Sequence, residues 1–172
     1  WTLRVLDVAS GTDRGLTVGP EDLEPDWAPS GSAMLFTSYF NRDTPDQTSF
    51  IMSVSADGQM LRPIVSLRDA AHFIGNPHWS PDGQRIALTV GSARDGGDIY
   101  VMNADGTGAA RLVEHPGWDD IDPAWSPDGS QIAFTGLIPN SRNTDVYVMN
   151  ADGSNLRKLT DIPGFDENPV WS

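Results

Sequence analysis

Acidic side chains that recur ahead of four tryptophans are the residues of this 172-residue chain best suited to chemistry. An acid or its amide lies three residues before each tryptophan, and an aspartate lies five residues before three of them. Carboxylate oxygens in this arrangement suit Ca²⁺ or Mg²⁺. The predicted calcium ligands are Asp22, Glu24, Asp120, Asp122 and Asp166. The alternative interpretation is that these side chains cap backbone N–H groups in the turn entering the following proline.

A second set of candidate residues is suited to contact with a partner protein. The longest loop of the chain carries adjacent aromatic residues and an arginine, and two linkers carry an aromatic residue directly after Pro-Gly. Aromatic and arginine side chains anchor many protein interfaces. The predicted partner-binding residues are Tyr39, Phe40, Arg42, Trp118, Asp119 and Phe165. Packing of the same aromatic rings beneath neighbouring loops is the alternative.

Catalytic chemistry has little support in the sequence. His72, His78 and His115 lie at unrelated positions and lack the short spacing of metal-binding histidine pairs. The chain contains no cysteine, no Gly-x-Ser-x-Gly nucleophile motif and no glycine-rich phosphate loop. The sequence therefore predicts a protein that is not an enzyme and that has no cofactor other than calcium.

A repeat of about 46 to 52 residues positions all these side chains. The octapeptide at 76–83, NPHWSPDG, returns at 122–129, with a weaker copy at 24–31 and a truncated copy at 168–172. A second motif at 98–106, DIYVMNADG, returns almost unchanged at 145–153, with looser copies at 50–58 and 3–11. Each unit contains four short runs rich in β-branched and aromatic residues, which predicts four strands. The second and third runs are apolar at nearly every position, as in a sheet covered on both faces.

The turns and the tryptophans have predicted roles in this arrangement. Asp-Gly pairs join the first strand to the second and the third to the fourth. In a two-residue hairpin turn of this type both residues need positive φ, so we expect it of the aspartate as well as the glycine. The tryptophans of the octapeptide are expected to pack between neighbouring sheets.

Four-stranded antiparallel units of this length are typical blades of a β-propeller. The octapeptide and the segment Tyr-Val-Met-Asn-Ala-Asp-Gly resemble the WD40-like repeat of TolB-type propellers across nearly the whole chain. The copy at 24–31 departs from the pattern because Ala-Pro-Ser-Gly replaces Ser-Pro-Asp-Gly. The resemblance implies a non-enzymatic protein-binding propeller, periplasmic or secreted in a bacterium. Related propellers also occur as accessory or substrate-gating domains of larger hydrolases and lyases, which is the alternative function.

The predicted fold is all-β, with three full blades and partial first and last ones in a single propeller domain. The predicted limits are 1–22 for a partial blade, 23–74, 75–120 and 121–167 for the full blades, and 168–172 for the start of a further blade. Such a set does not close into a neat ring. We therefore expect either a piece of a longer propeller or a structural repeat unit whose copies form a ring as a homo-oligomer.

The net charge of −13, from 11 basic and 24 acidic residues, limits the choice of partner. Nucleic acid is excluded because its phosphates require clustered Lys and Arg. Membrane insertion is excluded because no apolar run approaches the roughly 20 residues of a membrane helix. Most of the acids fall in linkers and in the loops between second and third strands, which lie at one end of a blade. The sequence therefore predicts an acidic loop face that binds a protein partner, one with basic residues.

Overall fold

The computed structural model describes residues 2–17, 19, 21–42, 44–68, 71–92, 94–138 and 143–172. All helix and strand structure in these residues is β-strand, so the all-β prediction is confirmed. Within the same ranges no helix is long and apolar enough to cross a membrane.

The strands form one two-stranded sheet and three four-stranded antiparallel sheets. The partial blade contains β1 (Arg4–Leu6) and β2 (Asp13–Gly15). The first blade contains β3 (Glu21–Trp27), β4 (Ala33–Phe40), β5 (Thr48–Ser55) and β6 (Leu61–Leu67). The second blade contains β7 (His72–Trp79), β8 (Arg85–Ser92), β9 (Gly96–Asn103) and β10 (Ala110–Arg111). The third blade contains β11 (Asp119–Trp125), β12 (Gln131–Leu137), β13 (Thr144–Asn150) and β14 (Arg157–Lys158).

Each blade is a meander in which consecutive strands are neighbours, as the sequence predicted. The first strands β3, β7 and β11 lie beside one another along the inner side of the blades. The central strands β12 and β13 are buried at nearly every position, which matches their continuous apolar sequence. The predicted limits of the blades within the chain stay a prediction, because linkers rather than strands define them.

The prediction of positive φ at both residues of the Asp-Gly turns is wrong. Gly83 has φ +68°, but Asp82 is not among the residues with positive φ. The turn is longer than two residues: the N–H of Gly83 donates to the carbonyl of Ser80, and the N–H of Ser80 to the carbonyl of Arg85. The Asp82 carboxylate accepts from the Ser80 hydroxyl at 2.6 Å and from the Gln84 N–H at 3.0 Å. The aspartate therefore closes the turn with its side chain rather than with an unusual backbone conformation.

Apolar layers between neighbouring sheets hold the blades together. Ile99 and Val101 of the second blade pack against Ile132 and Phe134 of the third, and similar layers join the other adjacent sheets. Full burial of one such side chain contributes about 1.5–3 kcal/mol. The core therefore consists of separate layers between sheets, which is the organisation of propeller blades.

The predicted packing of tryptophans between blades is confirmed for Trp79 and Trp125. Trp125 is buried, and its Nε1–H donates to the carbonyl of His78 in the second blade at 3.3 Å. Trp171 makes the equivalent bond to the carbonyl of Ala124 in the third blade at 3.1 Å. Trp27 is 43% exposed, because the partial blade beside it lacks inner strands.

Candidate functional site

The inner strand of each blade contains a β-bulge just ahead of its tryptophan. The pairing register shifts between Leu23 and Asp26 in β3, and at the equivalent positions of β7 and β11. At each bulge the residue before proline has positive φ, a conformation that costs a residue other than glycine about 1–2 kcal/mol. These residues are Glu24 (55°), Asn76 (49°) and Asp122 (54°), and Asn168 (53°) repeats the conformation.

These four residues of positive φ line one cavity of about 240 Å³, the inner cavity, together with Pro25, His78, Ala124, Pro169 and Val170. Hydrogen bonds connect the bulges of successive blades. The N–H of Asn76 donates to Glu24 Oε2 at 2.6 Å, and its Nδ2 donates to Asp122 Oδ1 at 2.7 Å. Burial and the nearby Glu24 carboxylate raise the pKa of Asp122. The bulges therefore place acids and amides together at the inner side of the blades.

The structure does not bring the five predicted calcium ligands into one set. Glu24 and Asp122 line the inner cavity, whereas Asp22 and Asp120 are buried within their own blades. Asp22 accepts from the Ser38 hydroxyl at 2.7 Å. Asp166 lies beside β13, where its N–H donates to the carbonyl of Thr144. Across the described ranges no three His, Asp or Glu side chains are arranged to hold a metal ion, so calcium stays a prediction.

Three of the six predicted partner-binding residues meet in a larger depression of about 540 Å³, the rim groove. Its lining comes from the loop end of all three full blades. It comprises Glu24, Tyr39, Arg42, Gln47, Ala71, His72, Phe73, Asn76, Asp119, Ile121 and Asp122. The rim groove therefore joins predicted partner-binding residues to two predicted calcium ligands.

Contacts within the chain hold the polar residues of the rim groove in place. Arg42 stacks on the Tyr39 ring at 4.9 Å and forms an ion pair with Glu21 at 3.0 Å. The Asp119 carboxylate accepts from the Gly97 N–H at 2.9 Å. Burial and the charge of Glu24 raise the pKa of Tyr39 to about 12, so its hydroxyl keeps its proton at neutral pH.

The other three predicted partner-binding residues lie outside the rim groove. Phe40 is 42% exposed and packs edge-on against Phe50. Trp118 packs against the apolar layer between the second and third blades, with its ring 4.6 Å from that of His115. Phe165 is 72% exposed. Their role in partner binding stays a prediction.

The large apolar residues of the rim groove, Phe73 and Ile121, have no functional role predicted from the sequence. The repeat does contain a signal for Phe73. Phe73 lies six residues ahead of Trp79, and the predicted partner-binding residue Asp119 lies six residues ahead of Trp125, so the two positions are equivalent. The sequence predicts no contact role for His72, whereas Gln47 belongs to the long loop that the sequence predicts to contact a partner.

Four-stranded antiparallel sheets packed face to face, with their first strands adjacent, define the chain as part of a β-propeller. The family described as the TolB beta propeller domain matches residues 65–138. The Tol-Pal system protein TolB of Anaeromyxobacter dehalogenans is 38% identical over 120 residues, which are 69% of this chain and 25% of that protein. The repeats of the chain are thus TolB-type WD40-like β-propeller repeats. The chain spans about a quarter of the length of the curated relatives that it matches.

Solved structures share the fold at lower identity. A structure described as a TolB from Agrobacterium tumefaciens superposes with a TM-score of 0.82 at 22% identity, covering 99% of this chain and 61% of that one. An oligogalacturonate lyase in complex with manganese superposes with a TM-score of 0.74 at 18% identity, covering 95% of this chain and 48% of that one. At these identities the likeness establishes the fold alone.

Proposed function

We propose that the chain is a non-enzymatic protein-interaction propeller that binds a segment of a protein partner in its rim groove. The observation that supports the proposal is the composition of that groove. It combines Tyr39, Arg42 and Asp119 with the acids Glu24 and Asp122 at the loop end of the blades. Loops held by a rigid scaffold are where proteins commonly place their binding residues.

The partner segment is proposed to be basic. The rim groove contains three carboxylates, while its arginine is already paired with Glu21. The raised pKa values of Tyr39 and Asp122 have burial as their first cause and the charge of Glu24 as their second. A Lys or Arg side chain from the partner would offset that charge. The net charge of −13 would also speed the approach of a basic partner.

The names of the curated relatives support a location and a class of partner. Those relatives are Tol-Pal system proteins of bacteria. We therefore place the chain in the periplasm or among secreted proteins, and we propose that its partner is another protein of the Tol-Pal system.

Calorimetric titration with purified Tol-Pal proteins of Anaeromyxobacter dehalogenans tests the proposal. The decisive variant carries Asp119→Asn and Asp122→Asn, because asparagine retains an oxygen for the existing hydrogen bonds and removes the charge. We expect binding to weaken at least tenfold, about 1.4 kcal/mol. The control is Asp161→Asn, which removes one exposed charge outside the rim groove. Unchanged affinity in the double variant, with circular dichroism showing a folded protein, would contradict the proposal.

An accessory or substrate-gating role in a larger hydrolase or lyase is the alternative proposal. A native reading frame that joins these repeats to a catalytic domain would favour it over partner docking. Assembly between copies is a further alternative. It is favoured by exposed apolar residues on the partial blade, such as Val8, and beyond the third blade, such as Val170. Sedimentation showing a strict monomer at high concentration would exclude assembly.

A further inference from the structure

The interfaces between successive blades differ at repeated positions beside the tryptophan. Trp79 pairs with Ile86 and Trp125 with Ile132, so the two tryptophans are equivalent in their blades. Each of these tryptophans packs against the preceding blade. In that blade the first residue of the second strand occupies the same position of the repeat in both cases. That residue is Arg85 for Trp125 and Ala33 for Trp79.

The arginine covers its tryptophan, and the alanine does not. The Arg85 guanidinium lies 4.5 Å from the centre of the Trp125 ring. In the part of the chain that the structure describes, no arginine or lysine stacks on Trp79 in the same way. At the same interface Ser53 replaces the larger Val101 of the next blade, as the pairings of β4 with β5 and of β8 with β9 show.

A pocket of about 330 Å³, the Trp79 pocket, lies beside Trp79 at this interface. It lies at the tight-turn end of the blades, opposite the rim groove. Its lining is Ala28, Pro29, Ser30, Ser32, Ala33, Ser53, Arg62, Trp79, Asp82 and Gly83. The volume lies at the lower end of the roughly 300–1,000 Å³ of ligand sites.

We propose that the Trp79 pocket binds an arginine side chain of a protein partner, whose guanidinium stacks on the Trp79 indole as Arg85 stacks on Trp125. The equivalent position at the next interface accepts a guanidinium, because the Arg85 guanidinium stacks on Trp125 there. Arginine is the cation most often found on tryptophan, since its planar group is weakly hydrated and stacks well. The Trp79 pocket is separate from the rim groove, so an arginine side chain can bind there whether or not a partner binds in the rim groove.

The charged residues that line the Trp79 pocket determine whether one substitution should strengthen or weaken the binding of arginine. Hydrogen bonds from Ser80 and Gln84 lower the pKa of Asp82, so its carboxylate is ionised at neutral pH and attracts a cation. Arg62 carries the same charge as the ligand and opposes it. Arg62→Ala should therefore tighten binding of arginine, whereas it would weaken binding of an anion or of a neutral ligand hydrogen-bonded to Arg62.

The test is a titration followed through the indole N–H signals in two-dimensional ¹H–¹⁵N NMR spectra, with the Trp79 signal assigned from Trp79→Phe. The probe is N-acetyl-arginine N-methylamide, which resembles an arginine within a protein. We expect the Trp79 signal to shift, Ala33→Arg to weaken binding at least tenfold by supplying an internal guanidinium, and Arg62→Ala to strengthen it. Met60→Arg controls for the added charge, because Met60 is 69% exposed and outside the pocket.

Several results would overturn the proposal. They are unchanged binding in Ala33→Arg, weaker binding in Arg62→Ala, a response to methyl glucoside but not to the arginine probe, or a response to free arginine alone. If Ala33→Arg does not fold, the direction of the Arg62→Ala effect decides the question.

Discussion

Replacing Asp120 by asparagine should change the way in which stability depends on pH. The Asp120 side chain is fully buried in β11, and its Oδ2 lies 2.9 Å from Nδ1 of His115. Burial raises the pKa of Asp120 to about 6; His115 opposes the shift, while the charges of Asp98 and Asp119 add to it.

The size of the effect follows from the difference between folded and unfolded pKa values. An unfolded aspartate has a pKa of about 3.9, so the shift of about two units corresponds to about 3 kcal/mol. Because the folded pKa is raised, the contribution of Asp120 to stability is fully present below about pH 3.9 and is lost as pH rises through about 6. Asparagine does not titrate. The free energy of unfolding of the variant minus that of the wild-type protein should therefore rise by about 3 kcal/mol from about pH 4 to about pH 7.

Urea unfolding followed by tryptophan fluorescence at several pH values measures this difference. Asp161→Asn is the matched control, because Asp161 is 92% exposed and its ion pair with Lys158 lowers its pKa. A lowered pKa gives stability that is lost only as pH falls below about 4, so the control should show no gain between about pH 4 and pH 7. Parallel profiles for Asp120→Asn and the wild-type protein would refute the reasoning.

Three further predictions test the packing and the site. Phe134→Ala should cost about 3–5 kcal/mol in urea unfolding, whereas Phe165→Ala should cost less than about 0.5, because Phe134 is fully buried and Phe165 is 72% exposed. Gly96→Ala should lower Tm markedly, because Gly96 has φ +83° and an added Cβ would lie 1.7 Å from the Trp118 carbonyl oxygen; an unchanged Tm would contradict this close approach. If the predicted calcium site exists, CaCl₂ should raise Tm of the wild-type protein more than that of Asp122→Asn, and equal shifts would remove the prediction.

Much of the fold was predictable because each copy of the sequence repeat corresponds to one four-stranded blade. The spacing of the tryptophans fixed the number of blades, and the continuous apolar runs identified strands such as β12 and β13 that are covered on both faces. The turn conformation was not predictable from the Asp-Gly pair alone. The Asp82 carboxylate closes a longer turn by bonding to Ser80 and Gln84, so the aspartate needs no positive φ.

The candidate site was predictable in part. Asp120 and Asp122 are two residues apart, and side chains at that spacing share a face of a regular strand. The register shift between Ile121 and Ala124 and the positive φ of Asp122 break that rule. As a result Asp120 is buried within its blade and Asp122 lines the inner cavity. A bulge of this kind depends on pairing with the neighbouring strand, which the sequence of β11 does not contain.

Photocrosslinking from within the rim groove tests the central claim most directly. Phe73 lines the rim groove, while Phe165, at the equivalent position ahead of Trp171, lies outside it and is exposed. Benzoylphenylalanine placed at each position in turn can be irradiated with the purified Tol-Pal proteins. Binding in the rim groove predicts a crosslinked partner from position 73, and a crosslink from position 165 in addition only if the partner also contacts Phe165. Crosslinking from position 165 without any from position 73 would contradict it.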